Sequence, residues 1–377
     1  MGVALILICA FFALHPQGDQ FLSARNLSNL SIELSITAVL ALGMLLVLLP
    51  GQIDLSVGSG VGLMGGIAAV LVTQPAYLFP GAASGWPAPL ALLATGVLAL
   101  LVWMGMGALI MRFRIPAFII TLGGLLVFKG LHWAVIQNST IAVSVGGEDN
   151  AFSLLTTYYL PSHLAYALLG VAVLALAWNQ WRRRAERRAH GLPVPPAVQE
   201  FLQLFVGAQV LLLLVLVMNQ HKGIPLPLLV LGATALAVHM LTRNTPFGRH
   251  LYAIGGNEEA ARLSGIAVSR TAILAYTVLG GIVALTGFMQ TAYGGYSTTT
   301  VGNLMELDAI AACVIGGTSL KGGRGSVLGV LFGALIMAVL LNGMTLLAVS
   351  PEMKLIARGI VLVLAVWMDV VFAPRRA

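Results

Sequence analysis

Residues 248–270 read GRHLYAIGGNEEAARLSGIAVSR, a polar stretch with two adjacent glutamates, three arginines and a glycine pair. It separates two long apolar runs in a chain that is 59% hydrophobic and only 9% charged. That contrast decides the fold class. Soluble domains carry about 25% charged residues, and 9% cannot cover a water-facing surface for 377 residues. The chain is read as an all-α polytopic membrane protein, with the polar stretch as one of its loops. Its 43 glycines suit helices whose backbones approach closely in lipid.

A bilayer core of about 30 Å takes roughly 20 mostly apolar residues per helix. About twelve transmembrane helices follow, over 3–15, 32–49, 55–72, 88–111, 115–136, 160–178, 201–218, 225–241, 271–290, 304–316, 327–347 and 355–372. The opening MGVALILICAFF has no charged n-region or small-residue cleavage site, so it reads as a first span rather than a cleaved signal. The short run 304–316 reads as a half-helix enclosed by protein, where irregular backbone at membrane depth is tolerated. Cys9 and Cys313 lie in apolar runs and indicate no disulfide framework.

Lys and Arg set the orientation. With both termini in the cytoplasm, fifteen of the 20 basic residues fall inside: Arg112, Arg114, Arg182, Arg183, Arg184, Arg187, Arg188, Arg243, Arg249, Arg262, Arg270, Lys321, Arg324, Arg375 and Arg376. Arg25, Lys222 and Lys354 fall outside. Lys129 and Arg358 lie within spans, where an ionisable group is a functional candidate by default, although both are near enough to the outer surface to snorkel. The formal charge of +7 thus belongs to span ends and not to a nucleic-acid face. Residues 1–377 form a single transmembrane domain, and 243–270 form a cytoplasmic loop.

Within that loop Asn257 is a good N-cap, Glu258 and Glu259 occupy the first turn where the helix dipole favours anions, and Gly265 is placed as a left-handed stop. The helix between them, with Arg262 in its last turn, has two turns. Isolated helices below roughly 12 residues are marginal in water, so this one must lean on something. Ala260, Ala261 and Leu263 give it a small, smooth exposed side. That side fits another protein's groove, or the helix simply rests on its own chain.

The string EAARLSG, holding Glu259, Ala260, Ala261 and Gly265, resembles the Glu-Ala-Ala loop of ATP-binding-cassette importer permeases. The likeness extends to GRHLYAIGGNEEAARLSGI, to ELDAIAACVIGGTSLKGGRGSVLGVLFGALI and to GQIDLSVGSG, three blocks in order that resemble the monosaccharide permeases serving ribose, arabinose, galactose and xylose. The resemblance covers most of 31–136 and 224–372. It implies a type II ABC importer permease-like fold of ten core spans, in which Asn257, Glu258, Glu259, Ala260, Ala261, Arg262, Leu263 and Gly265 dock on an ATPase. Here an extra span pair, within 160–218, brackets a basic cytoplasmic loop at 179–200, and that pair is most similar to the xylose permeases. The implied function is translocation of a monosaccharide, D-xylose first, by the permease subunit of an ATP-driven importer. The implied partners are an ATPase with tandem cassettes that binds the ATP, a periplasmic or extracellular sugar-binding protein, and a second permease copy. The implied location is the bacterial cytoplasmic (inner) membrane.

Two glycine-rich turns, GQIDLSVGSG at 51–60 and GGTSLKGGRG at 316–325, share glycine offsets and fall near the cytoplasmic face. Gly51, Asp54, Gly58, Gly316, Gly317 and Gly323 are candidate inner-gate residues, although tight reversals between packed spans are the favoured reading and Asp54 is expected to cap the third span. On the outer side QTAYGGYSTTTVGN offers Gln290, Tyr293, Tyr296 and Asn303 to a sugar pathway, with Asn303 equally suited to cap the next helix. Glu306 and Asp308 are expected to stabilise that helix's N-terminus. No phosphate-binding G-x-x-x-x-G-K-[ST] string, metal-ligand spacing or nucleophile and base pair occurs, so no cofactor, metal or catalytic residue is expected in this chain. A twelve-span secondary sugar transporter is the alternative. It calls for carboxylates deep in spans, whereas here acidic residues other than Glu33 lie at span ends. A passive channel would need no docking helix.

Overall fold

The structure, a computed structural model, describes residues 2–15, 18–82, 84–144 and 146–372. Arg375 and Arg376, used above for orientation, lie outside the described residues. The first apolar run folds as α1 (Gly2–Leu14), followed by a single turn, α2 (Gly18–Phe21). Ser23 then caps α3 (Ala24–Leu48), accepting the Asn26 amide at 3.2 Å. From Ala38 onward the side chains of α3 are apolar on every side and leave nothing to face water, and they are fully buried. This helix is the axis of the bundle. Around it run α4 (Val57–Thr73), α5 (Ala88–Phe113), α6 (Ala117–Val135) and, after the strand β1 (Ile141–Ala142), the turn α7 (Leu154–Thr157).

Next come β2 (Tyr159–Leu160) and the long pair α8 (Ser162–Ala189) and α9 (Ala197–Asn219). The chain continues through β3 (Ile224–Pro225), α10 (Leu226–Asn244), α11 (Pro246–Gly256), α12 (Glu258–Leu263), α13 (Val268–Gly294), β4 (Tyr296–Ser297), α14 (Met305–Ile315), α15 (Val327–Leu346) and α16 (Pro351–Phe372). Each of the twelve expected spans has a helix. Among the described residues eight helices are long and apolar enough to cross a membrane, and α1 and α4 are shorter apolar helices. The half-helix expected at 304–316 is α14, eleven residues long and buried over most of its length.

The inner layer is α3, α4 and α13, with α5 packed against α13, and α14 and α15 packed against α3. Close approach is what glycine permits: a Cβ on Gly280 of α13 would sit 2.6 Å from the Ala99 carbonyl oxygen of α5. By contrast α8 and α9 hold each other at the rim, linked by the Arg184–Glu200 ion pair, and bury little of their apolar surface. Two short antiparallel ladders, β1 with β4 and β2 with β3, fasten the loops at the bundle end opposite α11 and α12. They pair Ala142 with Tyr296 and Leu160 with Ile224.

Candidate functional site at the α11–α12 end

Thr245 opens α11 as N-cap, accepting the Gly248 amide at 3.3 Å, and Pro246 supplies a first residue that needs no amide partner. The helix stops where Asn257 turns extended, at φ −162°, and Asn257 at once caps α12 by accepting the Ala260 amide at 3.0 Å. At the far end Gly265 adopts φ +82°. Its amide donates to the Arg262 carbonyl at 3.0 Å and the Ile266 amide donates to the Ala261 carbonyl at 3.1 Å. This pair of bonds is the Schellman motif, which satisfies carbonyls the helix would otherwise orphan. Glu258 and Arg262 pair across one turn at 2.6 Å, and both are exposed.

The exposed side expected from Ala260, Ala261 and Leu263 is corrected at one residue. Ala261 is 5% exposed and packs with Ile254, Val268, Met111 and Ile266. It is the foot on which a six-residue helix stands. The free face is Ala260 with Glu259 and Leu263, the last 84% exposed. Leu263 is thus an open apolar side chain on a helix otherwise fixed at both ends.

The helix before it is seated more deeply. Gly255 lies against the Leu49 carbonyl, the Gly323 amide and Gly322, and a Cβ there would overlap them. The Gly323 amide donates to the Leu49 carbonyl at 2.8 Å, and Tyr252 Oη donates to the Gly325 carbonyl at 2.9 Å. Burial raises the Tyr252 phenol above its ordinary range and nearby Arg243 pulls it back, so the hydroxyl keeps its proton for that bond. Tyr252 and Gly255 were not singled out from sequence. A glycine inside a helix costs about 1 kcal/mol relative to alanine, so a glycine so placed signals a packing constraint.

The two glycine-rich turns therefore meet at one place. Gly51 (φ +82°), Gly317 (φ +81°) and Gly323 (φ +74°) have the left-handed backbone of tight reversals, whereas Gly316 is ordinary helix-end backbone at φ −68°. A Cβ on Gly51 would come to 3.1 Å from the Lys321 carbonyl oxygen. Gly58 is different: it lies in the first turn of α4 against Gly302 and the Glu306 carboxylate. The start of α4 and the start of α14, each preceded by non-helical chain, thus meet inside the bundle. Asp54 does not cap α4, since Ser56 holds the N-cap position. Its buried carboxylate accepts the Ser56 amide at 2.7 Å, the Ser56 hydroxyl at 2.6 Å and the Trp103 indole N–H at 2.9 Å. These bonds anchor the unwound chain leading into α4 to α5.

The expected pathway residues divide. Tyr293 donates to Glu33 Oε1 at 3.2 Å, and Asn342 Nδ2 donates to the other oxygen at 3.3 Å, so Glu33 joins α3, α13 and α15. Gln290 is partly buried one turn earlier and Tyr296 is half-exposed in β4. Asn303 is exposed and does not cap α14: Leu304, at φ +63°, stands at that position without a side-chain cap. Glu306 and Asp308 occupy the first turn of α14 as expected, both buried. Arg358 does not snorkel. It pairs with Asp308 at 3.3 Å, tying α16 to α14, whereas Lys129 lies over the Trp133 ring at 5.8 Å. Among the described residues no cluster of three or more His, Cys, Asp or Glu could hold a metal ion.

A family described as the branched-chain amino acid transport system / permease component matches residues 26–366. The xylose transport system permease protein XylH of Escherichia coli K12 is 40% identical over 369 residues, covering 98% of this chain and 90% of the relative. The Haemophilus influenzae protein of the same name is 40% identical over 370 residues, covering 98% and 95%. The ribose import permease protein RbsC of Escherichia coli K12 is 32% identical over 373 residues, covering 97% and 91%. No solved structure matches the chain.

Proposed function

Because the chain belongs to the branched-chain amino acid transport system / permease component family, we propose that it is the membrane-spanning permease subunit of an ATP-driven importer for a monosaccharide, D-xylose before ribose or galactose. The observation that carries the sugar class is the 40% identity, over 98% of this chain, to permeases named for xylose transport, against 32% to a ribose permease. ATP is bound and hydrolysed by a partner ATPase with tandem cassettes, and a sugar-binding protein delivers cargo to the outer face. Two permease copies enclose the path. The protein lies in the bacterial inner membrane with both termini and the α11–α12 end in the cytoplasm.

In this reading α12 offers Ala260 and Leu263 to a groove on the ATPase. Closure of the cassettes on ATP moves α12, and Ala261 passes the motion to Ile254 of α11. Gly255 and Tyr252 hand it to the Gly51 and Gly316–Gly325 turns, which act as the inner gate. Because the Gly255 contact with Leu49 and Gly323 runs through backbone atoms, that link has little side-chain slack to absorb the stroke. Near the opposite end, Tyr293, Gln290, Tyr296 and Asn303 present hydroxyl, amide and aromatic groups to a sugar passing inward.

Proteoliposomes holding the permease, the ATPase and the binding protein provide the test. Uptake of D-xylose that requires ATP and both partners is the expected result, and uptake without ATP would favour a secondary transporter or channel. Exchanging the binding protein for a ribose-binding one should change the sugar transported. An unchanged sugar would place selectivity in the permease itself.

A further inference from the structure

Beside α12 an open cavity of about 1070 Å³ indents the end of the bundle. Four guanidinium-bearing side chains line it, Arg112 and Arg114 from the end of α5, Arg262 from α12 and Arg270 from the start of α13. Glu258 is the sole carboxylate among the lining residues, and Arg262 already neutralises it at 2.6 Å. Arg112, Arg114 and Arg270 are exposed and have no ion pair among the described residues. Ala267, at the N-cap of the 27-residue helix α13, provides no side-chain cap; the Val268 amide donates to the Ile266 carbonyl at 2.9 Å, and Ser269 and Arg270 of the same first turn line the cavity. Unsatisfied amides at a helix N-terminus favour a phosphate.

The other wall is apolar. Ala108 and Ile110 belong to the last turns of α5 and Ile273 to the second turn of α13, and both helices are long and apolar enough to cross a membrane. Arginines set beside apolar side chains of two such helices match the two parts of a lipid, a charged head group and apolar chains. Basic pockets between spans at a membrane face are where anionic head groups bind. We propose that this cavity holds an anionic phospholipid of the adjoining leaflet. Its phosphate lies on Arg112, Arg114, Arg270 and the α13 N-terminus, and its acyl chains run along Ala108 and Ile273. The bound lipid also touches Glu258 and Arg262, so the same molecule braces the side of α12. The assignment stands independently of the sugar and of the direction of transport.

The full-length protein in neutral detergent, given equal amounts of dioleoyl phosphatidylglycerol or dioleoyl phosphatidylcholine and read by native mass spectrometry, tests it. Phosphatidylglycerol should be retained in preference, and the triple variant R112Q/R114Q/R270Q should lose that preference by about tenfold. The control R183Q/R188Q, on the open basic surface of α8, should keep it. Raising salt from about 0.05 M to about 0.5 M should weaken retention in the wild type, as screening shortens the reach of the guanidinium charges. Inorganic phosphate at the same concentration should not displace the lipid. Equal retention of both lipids, a preference that survives the triple variant or is lost in the control, or displacement by inorganic phosphate overturns the proposal. So does a Ser269→Cys variant that cross-links to the ATPase while no lipid is retained, which would assign the cavity to the partner protein. If the triple variant unfolds, the single variant Arg270→Gln and the wild-type salt titration still decide.

Discussion

The Tyr252 hydroxyl donates to the Gly325 carbonyl at 2.9 Å, across 73 residues of sequence. Beside it the Gly323 amide donates to the Leu49 carbonyl at 2.8 Å, with Gly255 pressed against both. Three segments that are remote in sequence are thus locked through main-chain atoms, and the helix that leads into α12 is one of them.

Tyr252→Phe removes a bond with a net worth of about 1 kcal/mol and keeps the ring, so the bundle should fold. The expected phenotype is a loose transmission: the ATPase still co-purifies and hydrolyses ATP, and xylose uptake per ATP falls. Uptake per ATP equal to the wild type would remove this bond from the relay. Gly255→Val, which would drive side-chain atoms into the Leu49 carbonyl and the Gly323 amide, should be more severe and lower thermal stability as well.

On α12 two arginine substitutions should behave in opposite ways. Leu263→Arg changes an 84% exposed residue to one of similar helix propensity, so thermal stability should hold while ATPase co-purification is lost. Ala261→Arg forces a guanidinium into the contact with Ile254, Val268 and Met111. It should destabilise the loop itself, by roughly 1–3 kcal/mol for overpacking alone. Co-purification retained by Leu263→Arg would argue against docking through this face.

The Asp308–Arg358 pair, with the carboxylate buried and the guanidinium 27% exposed, should show the asymmetry of a largely buried ion pair. Arg358→Gln leaves the Asp308 carboxylate buried without its partner and should cost about 3–5 kcal/mol. The double variant Asp308→Asn with Arg358→Gln should regain most of it. The measurement is thermal unfolding in detergent for both singles and the double. Additive losses in the double would mean that the two residues act separately.

The orientation is checked by labelling. In a background with Cys9 and Cys313 replaced, Glu148→Cys in the basic-free loop 137–159 should react with an impermeant thiol reagent added to whole cells stripped of outer membrane. Arg187→Cys should react only after lysis. Both positions are exposed, so access and not burial decides the result. The reverse pattern would invert every assignment of inside and outside.

Much of this was legible in the residues. Each apolar run marked a helix, because a bilayer imposes one length on any helix that crosses it, although α3 begins eight residues before the expected 32 and α8 runs on to Ala189 past the expected 178. Asn257 and Gly265 marked both ends of α12, because a cap and a left-handed stop are local chemistry that neighbours barely modify. Pairings between remote segments were not legible. Ala261 read as exposed although it is the foot of α12, Asp54 read as a cap and is not, the cap offered as one of two roles for Asn303 belongs to Leu304, and Arg358, read as near enough to the surface to snorkel, meets Asp308 instead.

Composition and local pattern were enough to give the membrane class of the chain, a helix for each apolar run and the two ends of α12, since these follow from hydrophobicity and from short-range backbone chemistry. Only the tertiary structure decided which face of α12 is free, that Gly255 and Tyr252 fasten α11 to the Gly51 and Gly323 turns, and that four arginines from three helices share one cavity. In lipid the apolar effect that drives each span into the membrane does not choose its neighbour. That choice is made by close packing and by hydrogen bonds between spans, which depend on atoms distant in sequence.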